Sequence, residues 1–251
     1  MSAAMTDRRC ALITGGSRGI GAEVARRLAE LGYDLTLAAR DKAVLDSIAG
    51  ELRLDHGVDV ETVIANMNDP DQLLQLTDTH ADRFGRLDVL VHCAGTGTAG
   101  PVATMSTAGY HRMFDINVRG PLTLVQHCLP LLRKTAKDNP GAGAKIVALA
   151  SITGVAGEPG LAAYGASKAA LVSLCETISL EESANGVSAT AISPGYVDTD
   201  MTAWKRAELD RAAMLTTGDI AELVLAITRL SANAVVPNIV VSRSGSQLWR
   251  A

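Results

Sequence analysis

Residues 10–21 read CALITGGSRGIG, a short apolar run followed by a glycine-rich turn. The next residues carry apolar side chains at helical spacing, so the stretch predicts a strand, a tight turn and a helix. Glycine permits unusual dihedral angles and close backbone approach, and the N-terminus of a helix directs unpaired N–H groups at an anion. The turn is therefore a candidate phosphate cradle, although a strand-to-helix turn without a ligand would look the same. Its glycines, Gly15, Gly19 and Gly21, are not spaced as in the commonest dinucleotide fingerprint.

Along the rest of the chain, short apolar runs alternate with longer stretches of helical period. This alternation is typical of an α/β fold with a doubly wound parallel sheet. We expect seven strands, at residues 10–14, 34–39, 59–65, 88–93, 145–150, 187–193 and 238–241. We expect helices at residues 19–31, 41–55, 70–84, 108–136, 163–184 and 217–230, with a short helix near 200–213. The polar stretch 137–143 is too short to link domains, so residues 1–251 are interpreted as a single domain.

The composition limits the possible classes of protein. The 251 residues are 47% apolar and 20% charged, which suffices for a core covered by helices on both faces. The net charge of −4 and the absence of a basic run argue against nucleic acid as a partner. The cysteines and histidines show no paired metal spacing, so we expect reduced thiols and no metal site. No segment reaches the roughly 18 apolar residues of a membrane span, and the polar start predicts a cytoplasmic protein.

A second group of chemically active residues lies near residue 160. Tyr164 and Lys168 are four residues apart in a predicted helix, which places the phenol and the ammonium on one face. A free tyrosine titrates near roughly 10, and a nearby cation favours its phenolate. Ser151, at the end of the preceding strand, could hold the carbonyl oxygen whose proton the tyrosine gives or takes. Together with the glycine-rich turn, this group predicts redox chemistry.

In this order, the motifs resemble those of the short-chain dehydrogenases/reductases, and the resemblance extends over nearly the whole chain. The matching positions are Thr14-Gly15-x-x-x-Gly19-x-Gly21, Ala94-Gly95, Asn117, Ser151, Tyr164-x-x-x-Lys168 and Pro194-Gly195. The resemblance implies a Rossmann-type fold, a nicotinamide cofactor, and hydride exchange between the cofactor and a carbonyl or alcohol carbon. The implied substrate is a small molecule, a ketone or a secondary alcohol.

The resemblance also implies roles for individual residues. Tyr164 would be the general acid or base, Ser151 would orient the substrate oxygen, and Lys168 would lower the pKa of the tyrosine and bind the nicotinamide ribose. Asn117 would be the fourth catalytic residue. The expected cofactor-binding residues are Gly15, Ser17, Arg18, Gly19, Ile20, Gly21, Arg40, Asn66, Ala94, Gly95, Asn117, Tyr164, Lys168, Pro194, Gly195, Val197 and Thr199.

Pro121 gives Asn117 a physical reason for its role. Proline has no N–H, so in a helix it leaves the carbonyl four residues earlier without a donor. The Asn117 carbonyl would then hold a water that extends a proton relay from Lys168. A simple kink, aided by Gly120, explains the same proline equally well.

Three positions depart from the pattern that the resemblance implies. The family usually has two asparagines before Ala94, where this chain has His92 and Cys93, so the side-chain bonds that brace that strand are in doubt. Asn66 stands where an aspartate usually contacts the adenine amino group, and its amide oxygen can still accept a hydrogen bond. Neither change alters the acid-base group, so we expect activity to survive.

The end of the second strand predicts which nicotinamide cofactor is used. In such folds an acidic side chain there binds the 2′-hydroxyl of NAD and repels the 2′-phosphate of NADP. Here the strand ends in Ala39 and Arg40 without a carboxylate, and Arg18 adds a second cation from the glycine-rich turn. These residues favour NADP(H) over NAD(H), although Asp41 lies close by and both arginines would also suit the start of a helix.

The predicted substrate pocket is mostly apolar and favours a substrate with little charge. Its expected contributors are Val155, Pro159, Leu161, Tyr196 and Met201. Glu158 is interpreted as a solvated loop charge. The end of the chain does not reproduce the glycine-rich, aspartate-containing tail that is common in ketoacyl-carrier reductases, so that activity is not assigned.

Two other functions remain open, and the oligomeric state is a separate question. A nucleotide-sugar epimerase or dehydratase would use the same tyrosine and lysine, but such relatives have longer chains and other glycine spacing. A non-catalytic nucleotide sensor would keep the fold, but such relatives often lack the tyrosine or the lysine. The predicted helix 163–184 carries an apolar stripe of Leu171, Leu174, Cys175 and Ile178. This stripe could be ordinary core. In the family that the chain resembles, however, the equivalent helix often joins subunits, and this favours a homo-oligomer, either a dimer or a tetramer.

Overall fold

The computed structural model describes residues 8–245, and the strands of that part of the chain form one sheet. They are β1 (Cys10–Thr14), β2 (Asp34–Ala39), β3 (Val60–Ile64), β4 (Val89–His92), β5 (Ala144–Leu149), β6 (Val187–Pro194) and β7 (Asn238–Val241). All pairs are parallel, in the order β3-β2-β1-β4-β5-β6-β7. The order reverses between β1 and β4, and in open α/β sheets a ligand crevice lies outside the carboxyl ends of the strands at such a point.

Helices cover both faces of the sheet. They are α1 (Gly19–Glu30), α2 (Lys42–His56), α3 (Pro70–Phe84), α4 (Thr107–Phe114), α5 (Gly120–Asp138), α6 (Ala162–Glu182) and α7 (Thr217–Thr228). One apolar cluster joins α1, α2 and α7 to one face, and a second joins α3, α5 and α6 to the other. The predicted doubly wound, Rossmann-type α/β fold is confirmed.

Local sequence explains where the elements begin and end. Every residue of β1 is buried, as expected for a parallel strand covered on both sides. The carboxylate of Asp41 caps α2 by accepting a hydrogen bond from the backbone N of Val44 at 3.2 Å. At the other end of α2, Gly57 has a φ of 63°, a left-handed conformation that glycine adopts without strain.

Two predicted helices are wrong in detail. The single helix expected at 108–136 is interrupted by a π-helical turn at Asp115–Arg119, and Pro121 follows it in the first turn of α5. The short helix expected near 200–213 consists of two 3₁₀ turns, Asp200–Ala207 and Arg211–Ala213. The other boundaries agree with the prediction to within two residues.

The apolar stripe of α6 belongs to the core of this chain. Leu171, Cys175 and Ile178 are buried against the sheet, and Leu174 packs on the same cluster. Of the two interpretations of the stripe, ordinary core is therefore the right one. None of the helices described between residues 8 and 245 combines the length and the apolar character of a membrane span.

Candidate active site

A cavity of about 1260 Å³ lies at the carboxyl ends of the strands. Its walls come from the residues that follow β1, β2, β3, β4, β5 and β6, together with the first turn of α1 and part of α6. All the site residues predicted from the sequence except Asn117 line this cavity. One end is formed by the glycine-rich turn and the other by Ser151, Tyr164 and Lys168.

The glycine-rich turn is packed too tightly for side chains. A Cβ atom at Gly15 would lie 2.8 Å from the backbone N of Ala94, and one at Gly21 would overlap the carbonyl oxygen of Gly15. Gly15 and Gly19 also have positive φ values of 69° and 54°. Thr199 faces this turn, since a Cβ at Gly19 would lie 3.4 Å from its methyl group. Backbone N–H groups at the start of α1 can therefore approach a diphosphate closely.

The end of β2 carries the expected positive charge. Arg40 is exposed and lines the cavity, while Asp41 is engaged in capping α2. Arg18 also lines the cavity, and its guanidinium lies 3.6 Å from the carboxylate of Asp200. Both side chains of this pair are largely exposed, so their attraction is weak.

The departures from the family pattern have structural consequences. His92 is buried, and neither of its ring nitrogens has a hydrogen-bond partner among the described residues. The doubt about the bracing of β4 is thus confirmed for this side chain. Burial lowers the pKa of His92 to about 4 and raises the pKa of the Cys93 thiol to about 12. The amide oxygen of Asn66 accepts from the backbone N of Asn68 at 3.2 Å, so it caps a local turn at the cavity wall.

The proposed acid-base group, Tyr164, lies half-buried on α6 at the cavity wall. Burial raises the pKa of its phenol, because the phenolate is poorly solvated there, and a hydrogen bond with Ser151 opposes this shift. The Ser151 oxygen accepts from the backbone N of Thr153 at 3.2 Å and from the Thr153 hydroxyl at 2.9 Å. With both lone pairs engaged, the Ser151 hydroxyl is left to donate its own proton.

Lys168 is buried behind the tyrosine. Its Nζ donates to the carbonyl oxygen of Leu149 at 2.6 Å and lies 5.7 Å from the centre of the Tyr164 ring. Burial lowers the pKa of Lys168 to about 8, and Cys93 opposes the shift. The sequence predicted that Lys168 would lower the pKa of Tyr164. The net shift of that pKa is upward because burial of the phenol dominates, and the separate effect of Lys168 stays a prediction.

Asn117 does not line the cavity and is buried behind it. Its Oδ1 accepts from the backbone N of Thr96 at 2.9 Å, and its Nδ2 donates to the Thr96 carbonyl at 2.8 Å and to Ser167 Oγ at 3.0 Å. The side chain therefore braces the loop after β4 against α6, and the expected role of Asn117 toward the cofactor stays a prediction.

The predicted substrate pocket is only partly right. Met201 lines the cavity, whereas Val155, Pro159, Leu161 and Tyr196 are not among its lining residues. Tyr196 is buried, and its hydroxyl donates to Glu158 Oε1 at 2.6 Å. Glu158 is therefore not a solvated loop charge. It joins the loop after Ser151 to the segment after β6.

Sequence analysis missed several charged residues of the cavity wall. The carboxylate of Asp198 accepts from Arg206 at 2.8 Å and from Arg211 at 2.8 Å, and all three residues line the cavity. These bonds lower the pKa of Asp198 and hold the two 3₁₀ turns together. Arg112, on α4, lines the cavity as well. No periodicity or motif marks these positions, because they lie on irregular segments or on the polar face of a helix.

Comparison with known proteins identifies the family. The sequence profile of the short chain dehydrogenases matches residues 9–210. The chain belongs to this family, and it is accordingly an oxidoreductase with a nicotinamide-binding fold.

Individual relatives agree with this assignment. An uncharacterized oxidoreductase of Staphylococcus epidermidis is 32% identical over 199 residues, which cover 79% of this chain and 82% of that protein. A 3-oxoacyl-[acyl-carrier-protein] reductase of Staphylococcus aureus is 32% identical over 195 residues, which cover 77% of this chain and 76% of that protein. An alcohol dehydrogenase of Thermococcus sibiricus, solved with 5-hydroxy-NADP, superposes with a TM-score of 0.86 at 29% identity, covering 96% and 98% of the two chains. An actinorhodin polyketide ketoreductase solved with NADPH has a TM-score of 0.83 at 27% identity, covering 95% and 97%.

Proposed function

We propose that this protein is an NADP(H)-dependent oxidoreductase that exchanges a hydride between the nicotinamide and a ketone or secondary alcohol, with Tyr164 as general acid or base. The observation that carries the proposal is the convergence of Ser151, Tyr164 and Lys168 at one end of a cavity whose other end is a glycine-rich helix start. A bound nicotinamide would supply or accept the hydride. The chain itself supplies the proton, the orientation and the cofactor cradle.

The contacts around Tyr164 support its role. In the reducing direction the phenol must carry a proton, and the burial that raises its pKa keeps it protonated at neutral pH. The single hydroxyl proton of Ser151, which the phenol oxygen accepts in the absence of substrate, would turn to a substrate oxygen placed next to that phenol. The ammonium of Lys168 lies over the tyrosine ring and stabilises the phenolate that proton transfer leaves behind.

The charges near the end of β2 support NADP(H) as the cofactor. Arg40 has no ion-pair partner among the described residues, and the nearby carboxylate of Asp41 is engaged in its helix cap. A charge-assisted hydrogen bond contributes roughly 1.5 to 3 kcal/mol, so one arginine could supply about ten- to a hundredfold preference for the 2′-phosphate. The alcohol dehydrogenase and the ketoreductase named above were solved with NADP-type cofactors, which agrees with this proposal.

The catalytic part of the proposal is tested by Tyr164→Phe. This change removes the transferable proton and little volume, so turnover should nearly vanish while the affinity for NADPH stays within a few fold. The assay follows cofactor absorbance with a panel of ketones, quinones, steroids and acyl thioesters. A variant that keeps most of the wild-type turnover would remove Tyr164 from the acid-base role. Wild-type protein that binds NADPH but turns over no member of the panel would instead favour a nucleotide sensor.

The cofactor preference has its own test. The ratio of kcat/KM for NADPH and NADH should favour NADPH, and Ala39→Asp combined with Arg40→Ser should reverse it, because a carboxylate then binds the 2′-hydroxyl and repels the 2′-phosphate. Arg211→Ser is the matched control, since it removes an exposed arginine of the same cavity that lies in the turn Arg211–Ala213 and not at β2. A wild-type ratio that favours NADH contradicts the assignment.

The proposed function also implies a domain organisation, a location and an oligomeric state. We infer a single domain, a cytoplasmic enzyme with a small-molecule substrate, and a homo-oligomer, either a dimer or a tetramer. The face of α6 that points away from the core supports an interface, because Leu180 on that face is 85% exposed. Light scattering of the purified chain measures the oligomeric state.

A further inference from the structure

We propose that Gly97 is a positioning residue for Tyr164: its lack of a side chain leaves the space in which the tyrosine ring lies. The inference rests on the proposed function, in which the Tyr164 phenol transfers the proton. Gly97 lies in the loop after β4 and lines the cavity next to the phenol.

The distances leave no room for a side chain at this position. A Cβ atom at Gly97 would lie 2.9 Å from Cδ2 and 3.1 Å from Cε2 of Tyr164. Carbon atoms in contact prefer separations of about 3.5 to 4.0 Å, so either the ring or the loop would have to move. Gly97 is not one of the described glycines with a positive φ, so its backbone conformation does not require glycine. The close approach to the ring is what excludes larger residues.

The loop cannot move away easily. The side-chain amide of Asn117 holds both backbone groups of Thr96, at 2.9 and 2.8 Å. Further along the loop, the backbone N of Gly100 donates to the carbonyl oxygen of Gly160 at 2.8 Å. Gly97 therefore lies between two anchored points, and Asn117 acts on the tyrosine through Thr96 and Gly97.

The backbone of the tyrosine is equally well held. Ser167 Oγ donates to the Tyr164 carbonyl oxygen at 2.8 Å, and the backbone N of Gly165 donates to the Leu161 carbonyl oxygen at 2.7 Å. A Cβ at Gly165 would lie 2.7 Å from the carbonyl oxygen of Thr153, so the helix is packed directly on the turn after Ser151. With loop and helix fixed, a side chain at position 97 would turn the ring and move the phenol away from Ser151.

The test compares Gly97→Ala with Gly100→Ala. Gly100 belongs to the same loop, has no atom within 4 Å of its Cβ position, and keeps its N–H after the change. We expect Gly97→Ala to lower kcat for NADPH-dependent reduction of ethyl acetoacetate, or of the best substrate of the panel, by about tenfold, since a misplacement of about 1 Å can cost about a hundredfold. The Kd for NADPH and the melting temperature should stay close to those of the wild type. Gly100→Ala should match the wild type in every measurement.

A pH profile separates positioning from simple weakening of the fold. Oxidation of the corresponding alcohol requires the phenolate, and the hydrogen bond with Ser151 lowers the pKa of Tyr164. A phenol that has moved away loses this bond, and its pKa rises. The oxidation rate of Gly97→Ala should therefore reach half of its maximum at a higher pH than the oxidation rate of the wild type. Lys168 on α6, over the tyrosine ring, and Cys93 after β4, which interacts with Lys168, are the same in both chains.

Two results would overturn the proposal. One is a Gly97→Ala protein with the kcat and pH midpoint of the wild type. The other is a parallel loss of turnover, NADPH affinity and melting temperature, which would make Gly97 a general packing residue. If the wild type binds NADPH but reduces no substrate, the proposed function fails separately. The pKa of the phenol can then still be measured by ultraviolet titration, as the difference between each protein and the same protein with Tyr164→Phe. The comparison of the wild type with Gly97→Ala shows whether the change at position 97 raises this pKa.

Discussion

His92 should make the folded chain lose stability in mild acid. Its imidazole is buried, and burial lowers its pKa from 6.5 to about 4. Below pH 6.5 the unfolded chain therefore takes up a proton that the folded chain does not accept until about pH 4. The stability that is present at neutral pH is lost as the pH falls through this window, because protons then favour the unfolded state.

The size of the effect follows from linkage. One ring with these two pKa values costs about 2 kcal/mol of the free energy of unfolding at pH 5. Burial lowers the pKa of His80 to about 4 as well, so His80 contributes a similar loss. We therefore expect the two rings together to remove about 4 kcal/mol between pH 7 and pH 5, a large part of the stability of a typical domain.

The assay is urea unfolding at both pH values for the wild type and for His92→Asn, which leaves His80 in place. The loss between pH 7 and pH 5 should shrink by about 2 kcal/mol in the variant. Comparing two pH values cancels any constant effect of the smaller side chain. His127→Asn is the control, because this ring lies on an exposed helix face and its removal should leave the loss unchanged. If the free energy of unfolding of His92→Asn falls between pH 7 and pH 5 by as much as that of the wild type, the reasoning is refuted.

Three further substitutions test the site. Lys168→Ala should weaken NADPH binding and lower kcat together, because the ammonium is assigned to both the ribose and the phenol. Fluorescence titration measures the binding and a turnover assay measures kcat. If both stay at the wild-type values, the assignment is wrong. Pro121→Ala should lower activity modestly by restoring a helical donor for the Asn117 carbonyl, with a larger change in the solvent isotope effect than in the Kd for NADPH. Unchanged kinetics would leave this proline a purely architectural role. Asp200→Asn should tighten NADPH binding up to about fivefold and leave NADH binding unchanged, because it releases Arg18 from an exposed ion pair. Equal effects on both cofactors would show that Arg18 does not bind the 2′-phosphate.

The sheet could be predicted because its signal is local. A parallel strand covered on both faces is a continuous apolar run, and residues 10–14 show this directly, with every position buried. The motif spacing similarly placed Ser151, Tyr164 and Lys168 at one end of one cavity. In these cases the information lies within a few residues of chain or in a fixed order of motifs.

The remaining features depend on contacts between distant residues. Glu158 meets Tyr196, 38 residues away, and Gly97 meets the ring of Tyr164, although loop residues follow no period. The upward net shift of the tyrosine pKa could not be predicted for the same reason, since burial cannot be judged from a spacing of four residues. Gly120, at the break in the predicted helix 108–136, also meets a distant residue, because a Cβ there would lie 2.6 Å from the carbonyl oxygen of Met67.

The π-helical turn at Asp115–Arg119 determines which face of the following helix, α5, points toward the sheet. A π-helical turn already holds one residue more than an α-helical turn, and each further residue turns the chain by about 100°, so an insertion here would rotate the whole of α5. Ile116, within the turn, packs with Met67 near the cavity, whereas Leu124 and Leu132 face the sheet. A single-residue insertion here would swing those leucines out of the core. Apart from Asn117, which holds Thr96, this short segment should therefore tolerate substitution better than insertion.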